Sequence, residues 1–414
     1  MEESSRYAVG LDVGTENVRA VVLAVNNKGE TSVVGYGEAT NKGMRKGVVA
    51  NLAGPAEAID KMLSEVERMS GYEINSAYVS INGSHVMSTK TSGMIAVGAE
   101  NSEISEDDLY RVEDSATTGR IPANRDVLAV LPQEYTLDGQ SGIRDPIGMT
   151  GTRLEIEATV ISALAPNCTN LRKATEYAEI RTERLIPSVM AAARAVLSER
   201  QMENGVAVVD LGAATTSVAV FEGGDLQFVG VVPIGSNNIT NDLAIMLEIE
   251  PAAAEDIKRR YITGAFNESD KDIVVKKGRE EMRFSREEVN EIVKARMSEI
   301  FDSVRKELKM AHYDRRLPEG AVLVGGGAKM RDIELFAKQE LEAAVRIGVP
   351  GSGLTVVSDT VEKPEFAAAV GLALMALEDS INGKVEQRTS GKLAKKKAGE
   401  SGSPGFIKKL FKKF

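Results

Sequence analysis

Two stretches of the chain share one pattern, a short apolar run that ends in Asp-x-Gly. The first is Ala8-Val9-Gly10-Leu11-Asp12-Val13-Gly14-Thr15, and the second is Val206-Ala207-Val208-Val209-Asp210-Leu211-Gly212. Each leads into another apolar run, at 18–25 and at 216–221, so each predicts a pair of strands joined by a tight corner. A third run at 321–324 empties into Gly325-Gly326-Gly327-Ala328. Residues 7–83 read as strand, strand, helix, strand. The helix covers 55–69, with Ile59, Met62, Leu63 and Val66 on one stripe, and the last strand is Tyr78-Val79-Ser80-Ile81.

Between 84 and 163 the pattern changes. Residues 86–97 alternate, Ser105-Glu106-Asp107-Asp108 has the form of a capped helix start, and 153–163 alternates as a half-buried strand through Leu154, Ile156, Ala158 and Val160. This predicts a small α+β insertion within the first half. Residues 171–197 read as helical with an interruption near Pro187. Residues 251–312 read as mainly helical, with Ser285 and Glu288 as a capping box and apolar residues at helical spacing from Val289 to Leu308. A helix of small residues over 365–378 completes the second half.

The pattern collapses after Asn382. Residues 384–404 are dominated by Lys, Gly, Ser, Ala and Glu, which cannot bury enough surface to order themselves, so they predict a flexible tether. Residues 405–414 are different. At 100° per residue, Phe406, Ile407, Leu410, Phe411 and Phe414 fall within an arc of about 140°, and Lys408, Lys409, Lys412 and Lys413 fall outside it. That separation predicts a helix lying on a membrane surface. Half-burying five large apolar side chains contributes roughly 5 kcal/mol, and four lysines at an anionic leaflet add ~1 kcal/mol each. Ordering ten residues costs about 10 kcal/mol. One copy should therefore bind weakly and reversibly, and several copies in one polymer far more tightly.

Charge sharpens this picture. The chain carries −10 overall, but from Lys384 onward ten Lys/Arg face only Glu386 and Glu400, leaving −18 on the rest. An acidic body disfavours nucleic acid, and the basic end attracts anionic surfaces. The 414 residues exceed one compact core, and 43% apolar with 27% charged residues is the balance of a soluble globular protein. The polar, acidic first residues predict no secretory signal ahead of the first strand. The lone Cys168 excludes an internal disulfide and fits a reducing compartment, and His85 and His312 make no structural metal site. No apolar run reaches the ~18 residues of a membrane-spanning helix.

Two such corners facing one another would set two carboxylates and two glycine turns around one phosphate chain. Phosphate needs backbone N–H donors at close range, and glycine lets the backbone approach; Gly14-Thr15 and Gly212 supply such turns. Mg²⁺ takes hard oxygen ligands and retains waters, through which Asp12 and Asp210 could hold it. One Asp-x-Gly signals only a turn. Two copies 198 residues apart, with a glycine loop 115 residues after the second, predict a nucleotide cleft.

On these three loops the chain resembles the actin, Hsp70 and sugar-kinase superfamily, which implies a two-lobed α/β fold of ribonuclease H-like type. Within it the chain is similar to the bacterial cell-division family FtsA, over residues 7–382 and the terminal amphipathic segment. The residues that carry this are Ile81-Asn82-Gly83-Ser84-His85, Tyr135-Thr136-Leu137-Asp138-Gly139-Gln140, Asp145-Pro146-Ile147-Gly148-Met149-Thr150-Gly151, Leu154-Glu155, Gly235-Ser236-Asn237-Asn238-Ile239-Thr240-Asn241-Asp242 and Asp256-Ile257-Lys258-Arg259-Arg260-Tyr261.

The resemblance implies subdomain 1A from residues 1–83, 164–206 and 366–383, the insertion 1C from 84–163, 2A from 207–243 and 320–365, and 2B from 244–319. The linker is then 384–404 and the membrane helix 405–414. It implies ATP and Mg²⁺ held by Asp12, Gly14, Thr15, Asp210, Gly212, Ala213, Ala214, Thr215, Gly325, Gly326, Gly327 and Ala328. Lys258 and Arg259 would approach ribose and adenine, with Gly235 and Asn237 nearby. Two positions depart from the family's pattern. Ala213-Ala214 replaces a Gly-Gly in the second loop, where alanine tolerates positive φ poorly. Ser188 stands where a glutamate would orient water, which implies feeble or absent hydrolysis. The implied function is a protein that polymerises on the cytoplasmic face of the membrane at the division site. It would tether FtsZ filaments through their C-terminal tail on 2B, with Arg286 and Arg296 as candidate contacts, and recruit later division proteins. A pilus-assembly ATPase related to FtsA and a small-molecule kinase of the superfamily are the alternatives, and neither needs the terminal helix.

Overall fold

In the computed structural model the repeated apolar runs build two sheets with the same strand order. The structure describes residues 6–98, 103–262, 264–265, 272–277, 280–351, 354–355 and 359–381. Strands β1 (Arg6–Val13), β2 (Asn17–Val25) and β3 (Thr31–Thr40) form an antiparallel meander. Helix α1 (Ala53–Ser70) returns the chain so that β4 (Ser76–Ile81) runs parallel to β1. The insertion follows as β5 (Met87–Ala96), α2 (Glu106–Thr117), β6 (Arg125–Leu137), β7 (Gln140–Ile143) and β8 (Arg153–Leu164). Its strands make a separate antiparallel sheet in the order β5-β8-β6-β7. Helix α3 (Ala165–Tyr177) leads to β9 (Arg181–Pro187), which completes the first sheet as β9-β4-β1-β2-β3, and α4 (Ser188–Val196) starts directly from its end.

The second half repeats the plan. Strands β10 (Val206–Leu211), β11 (Thr216–Glu222) and β12 (Asp225–Val232) form the meander. Helices α5 (Ser236–Met246) and α6 (Pro251–Tyr261), a hairpin of Ile273–Lys277 and Glu280–Phe284, and the long α7 (Arg286–Met310) come next. Strand β13 (Ala321–Val324), helix α8 (Ile333–Leu341) and strand β14 (Val345–Ile347) then complete a sheet ordered β12-β11-β10-β13-β14. Helix α9 (Ala367–Ile381) ends the described chain.

The apolar runs are continuous because both faces of the second sheet are covered. Val206 and Val208 of β10 belong to the first lobe's core, and the alternating Ala207 and Val209 belong to the second's. Helices α4 and α9 fill the space between the sheets, and small residues let them approach. A Cβ on Gly10 would lie 2.1 Å from the Ala369 carbonyl oxygen, and one on Gly371 only 1.7 Å from that of Ala191. The insertion has its own core around Leu154, Ile156, Val160 and Val112. Its helix α2 begins with the expected capping box between Ser105 and Asp108.

Three expectations need correction. Residues 31–40, absent from the predicted strands, form β3. Residues 171–197 are not one interrupted helix: Pro187 ends a strand, with helices on either side. The span 251–312 contains a hairpin between its helices. Among the described residues no helix is long and apolar enough to cross a membrane. The tether at 384–404 and the segment at 405–414 lie outside the described residues.

Candidate functional site

The ends of β1 and β10 meet at a cavity of about 490 Å³ between the lobes. Both corners fold identically. The Gly14 N–H donates to the Asn17 carbonyl at 3.0 Å, and the Gly212 N–H donates to that of Thr215 at 3.0 Å. A Cβ would lie 2.6 Å from the Asn17 oxygen at the first glycine and 2.8 Å from the Thr215 oxygen at the second. Neither glycine has positive φ, so their role is to let the turn close on itself. Ala213 and Ala214 do not have positive φ either. The expected backbone strain at the altered second loop is therefore absent, because that loop never enters the left-handed region.

The two acids stand at the cleft floor. Burial raises Asp12 above the usual carboxylate range, partly offset by Ser80 and the Arg19 charge. Asp210 is pushed up to about 6, by burial first and then by the negative charge of Asp12, against the pull of Ser188 and Arg19. Two buried carboxylates, the charge of one raising the other, are poised for a cation. Ser188, the first residue of α4, donates its hydroxyl to Asp210 Oδ2 at 3.1 Å. Gly325 has φ +84°, and a Cβ there would come within 2.3 Å of Asp210 Oδ1, so glycine is required on both counts.

The second loop is tied to the helices beyond it. The Ser236 and Asn237 N–H groups donate to the Gly212 and Ala213 carbonyls at 2.9 and 2.7 Å, and a Cβ on Gly235 would lie 2.6 Å from the Ala213 oxygen. Lys258 Nζ reaches Thr240 Oγ1 at 2.8 Å and Glu255 at 2.6 Å, and Arg259 pairs with the same carboxylate at 2.7 Å. Burial would raise Glu255, but bonds from Lys258, Thr240 and Arg259 outweigh it and bring it to about 2.

Every predicted nucleotide-site residue lines the cavity except Ala214, Gly235 and Ala328, each of which is a chain neighbour of a lining residue. The pattern did not single out Asn82, Arg19, Lys329 or Glu365, which also line it. Glu365 is buried and accepts from Lys329 Nζ at 2.6 Å. Lys329 directly follows the glycine loop and Glu365 lies two residues before α9, so nearness to those elements was the available signal. Arg286 and Arg296 lie away from the cleft on α7, and both are engaged. Arg286 donates to the Tyr261 carbonyl at 3.2 Å, and Arg296 grips Asp242 with two bonds of 2.6 and 3.0 Å.

Among the described residues no group of three or more His, Cys, Asp or Glu could hold a metal ion. Asp12 and Asp210 alone are hard oxygen donors that suit Mg²⁺ only if phosphate oxygens and water complete its shell. The donor set fits a metal that arrives with a phosphate ligand.

Comparison with known proteins bears on most of the chain. Residues 207–371 match the family model described as cell division protein FtsA, and residues 83–162 match that of the SHS2 domain inserted in FtsA. A cell division protein FtsA of Pseudomonas aeruginosa is 35% identical over 92% of this chain and 92% of its own length. That of Borreliella burgdorferi is 32% identical over 99% of this chain and all of its own. Among solved structures, the PilM–PilN type IV pilus biogenesis complex has a chain that aligns with a TM-score of 0.65 at 17% identity, covering 89% of this chain and 98% of that one. MreB5 of Spiroplasma citri bound to ADP aligns at 0.52 and 16% identity, over 92% of this chain and 98% of its own. The structural likenesses establish an actin-like two-lobed α/β fold, here with its insertion.

Proposed function

The chain belongs to the FtsA family of cell-division proteins, and from that premise we propose that it is an ATP-binding adaptor that polymerises on the membrane and tethers FtsZ filaments there. The observation that carries the reading is the convergence of both Asp-tipped corners and the glycine loop on one cavity. The ADP bound to the actin-like neighbour MreB5 supports a nucleotide there. In this reading the N–H groups around Gly14, Gly212 and Gly325 cradle phosphates, and Asp12 and Asp210 hold hydrated Mg²⁺ against them. Bound Mg²⁺ would supply charge neutralisation on the phosphates. Lys258 and Arg259 flank the nucleoside end. Ser188 is committed to Asp210 and has no carboxylate to accept a proton from water, so hydrolysis is feeble or absent.

The insertion and the second lobe's helical region, subdomains 1C and 2B, are the proposed polymer contacts. The FtsZ tail binds on 2B near Arg286; Arg296 can contribute only by sharing or releasing Asp242. The basic amphipathic end holds the polymer on the cytoplasmic face, peripherally, at the division site. Polymerisation makes each further insertion intramolecular, so assembly and membrane attachment reinforce one another. Co-sedimentation with anionic vesicles tests this. With ATP and Mg²⁺ the protein should carry FtsZ into the vesicle pellet, and Phe411→Glu should leave both in the supernatant. FtsZ pelleting that is indifferent to this protein, or to Phe411→Glu, would contradict the tether.

A further inference from the structure

Asn82 follows the last residue of β4 and lines the cavity wall. Its neighbours fix its place in the cleft. Strand β4 lies parallel to β9 with Ile81 opposite Pro187, which brings Asn82 level with Ser188 at the start of α4. The adjoining Gly83 lies against Gly47, whose N–H is bound by Thr15 Oγ1 of the first loop at 3.1 Å. From the other lobe Ser217, the cross-strand partner of Asp210, donates to Asn82 Oδ1 at 3.0 Å. Asn82 thus stands among the first loop, the strand that follows the second loop, and Ser188.

Its orientation is fixed as well. Oδ1 accepts from the Gly83 N–H at 2.7 Å as well as from Ser217. A backbone N–H can only donate, so the oxygen is the atom turned toward Gly83. The two amide N–H donors turn the other way, and among the described residues no acceptor takes them. They are not buried, so the cavity is the space they serve. Ser188 beside it is short and spent on Asp210, which leaves the Asn82 amide as the free donor at this point of the wall.

We propose that Asn82 binds an oxygen of the terminal phosphate and sets the preference for a nucleoside triphosphate over a diphosphate. This rests on the nucleotide reading of the cleft. A neutral amide offers donors to phosphoryl oxygens without competing with the two carboxylates for a cation. Because its oxygen is held by Ser217 of the opposite lobe, the same side chain joins both lobes at the bound phosphate. The terminal phosphate is therefore read where the lobes touch.

The test is calorimetric titration of ATP and of ADP, each with Mg²⁺, into the full chain, Asn82→Asp and Asn82→Ala, with thermal melting as the control for folding. Aspartate keeps the oxygen that Gly83 and Ser217 bind and replaces the donors by an acceptor, so the fold is retained while phosphate is repelled. Asn82→Asp should weaken ATP about 10- to 100-fold and ADP by no more than about three-fold, with Asn82→Ala between it and the parent. An unchanged ATP-to-ADP ratio in Asn82→Asp overturns the assignment, as does equal weakening of both nucleotides. Parent protein that binds neither nucleotide sinks the reading of the cleft itself, and this inference with it.

Discussion

Asp210 is pushed up to about 6 by burial and by the charge of Asp12, and the two effects act in the same direction. A bound cation favours the ionised form, which Asp210 adopts above about 6 and surrenders below it. Mg·ATP affinity should therefore fall about four-fold between pH 7.5 and pH 5.5 from this group alone, and Asp210→Asn should flatten the profile. Calorimetry across that range checks it; an affinity that rises on acidification would contradict it. For the unliganded protein the sign reverses. Its folded state binds more protons than the unfolded chain between the ordinary carboxylate range and about 6, so it gains stability as pH falls through that window. Both acids were legible from Asp-x-Gly after an apolar strand. Asn82 stood in plain view within Ile81–His85, but its meaning depends on Gly83 and Ser217 fixing the amide, which no spacing encodes. Ala213 reads differently once its backbone is seen. Ala213→Gly should lower stability by about 0.5 to 1 kcal/mol through unfolded-state entropy. A gain on urea unfolding would show strain that the φ values do not.

Which elements could be read depended on whether a strand's inward positions carry large side chains. Strand β3 places Val33, Gly35 and Gly37 inward, and the two glycines make room for α1: a Cβ on Gly37 would lie 2.7 Å from the Val66 side chain. Two of its three inward positions thus carry no apolar side chain, by necessity. Strand β9 begins Arg-Thr-Glu-Arg and buries only Leu185, Ile186 and Pro187, so its proline resembled a break in a helix. By contrast α7 and the insertion's alternating strands are amphipathic, and their periods were plain. The small-residue character of α9 has a mechanical reason, since it is squeezed between β1 and α4. Gly371→Ala should force α9 away from Ala191 and destabilise the protein by about 3 kcal/mol. A urea midpoint equal to that of the parent would show that α4 and α9 are not packed so closely.

At the scale of the whole molecule, duplication of one pattern announced two lobes, and a change of period announced the insertion. How the lobes join was hidden, because β10 is apolar throughout and nothing in its sequence says that Val206 and Val208 face the first core while Ala207 and Val209 face the second. The cleft exists because that shared core sets the tips of β1 and β10 side by side. The central claim is that these two tips act together on one magnesium–nucleotide complex. Titration of Mg·ATP into the full chain, Asp12→Asn, Asp210→Asn and the double variant tests it most directly. The account predicts binding by the parent, at least about ten-fold weakening in each single variant, and little further loss in the double variant, because both carboxylates hold the same ion. Parent-like affinity in both single variants would contradict it.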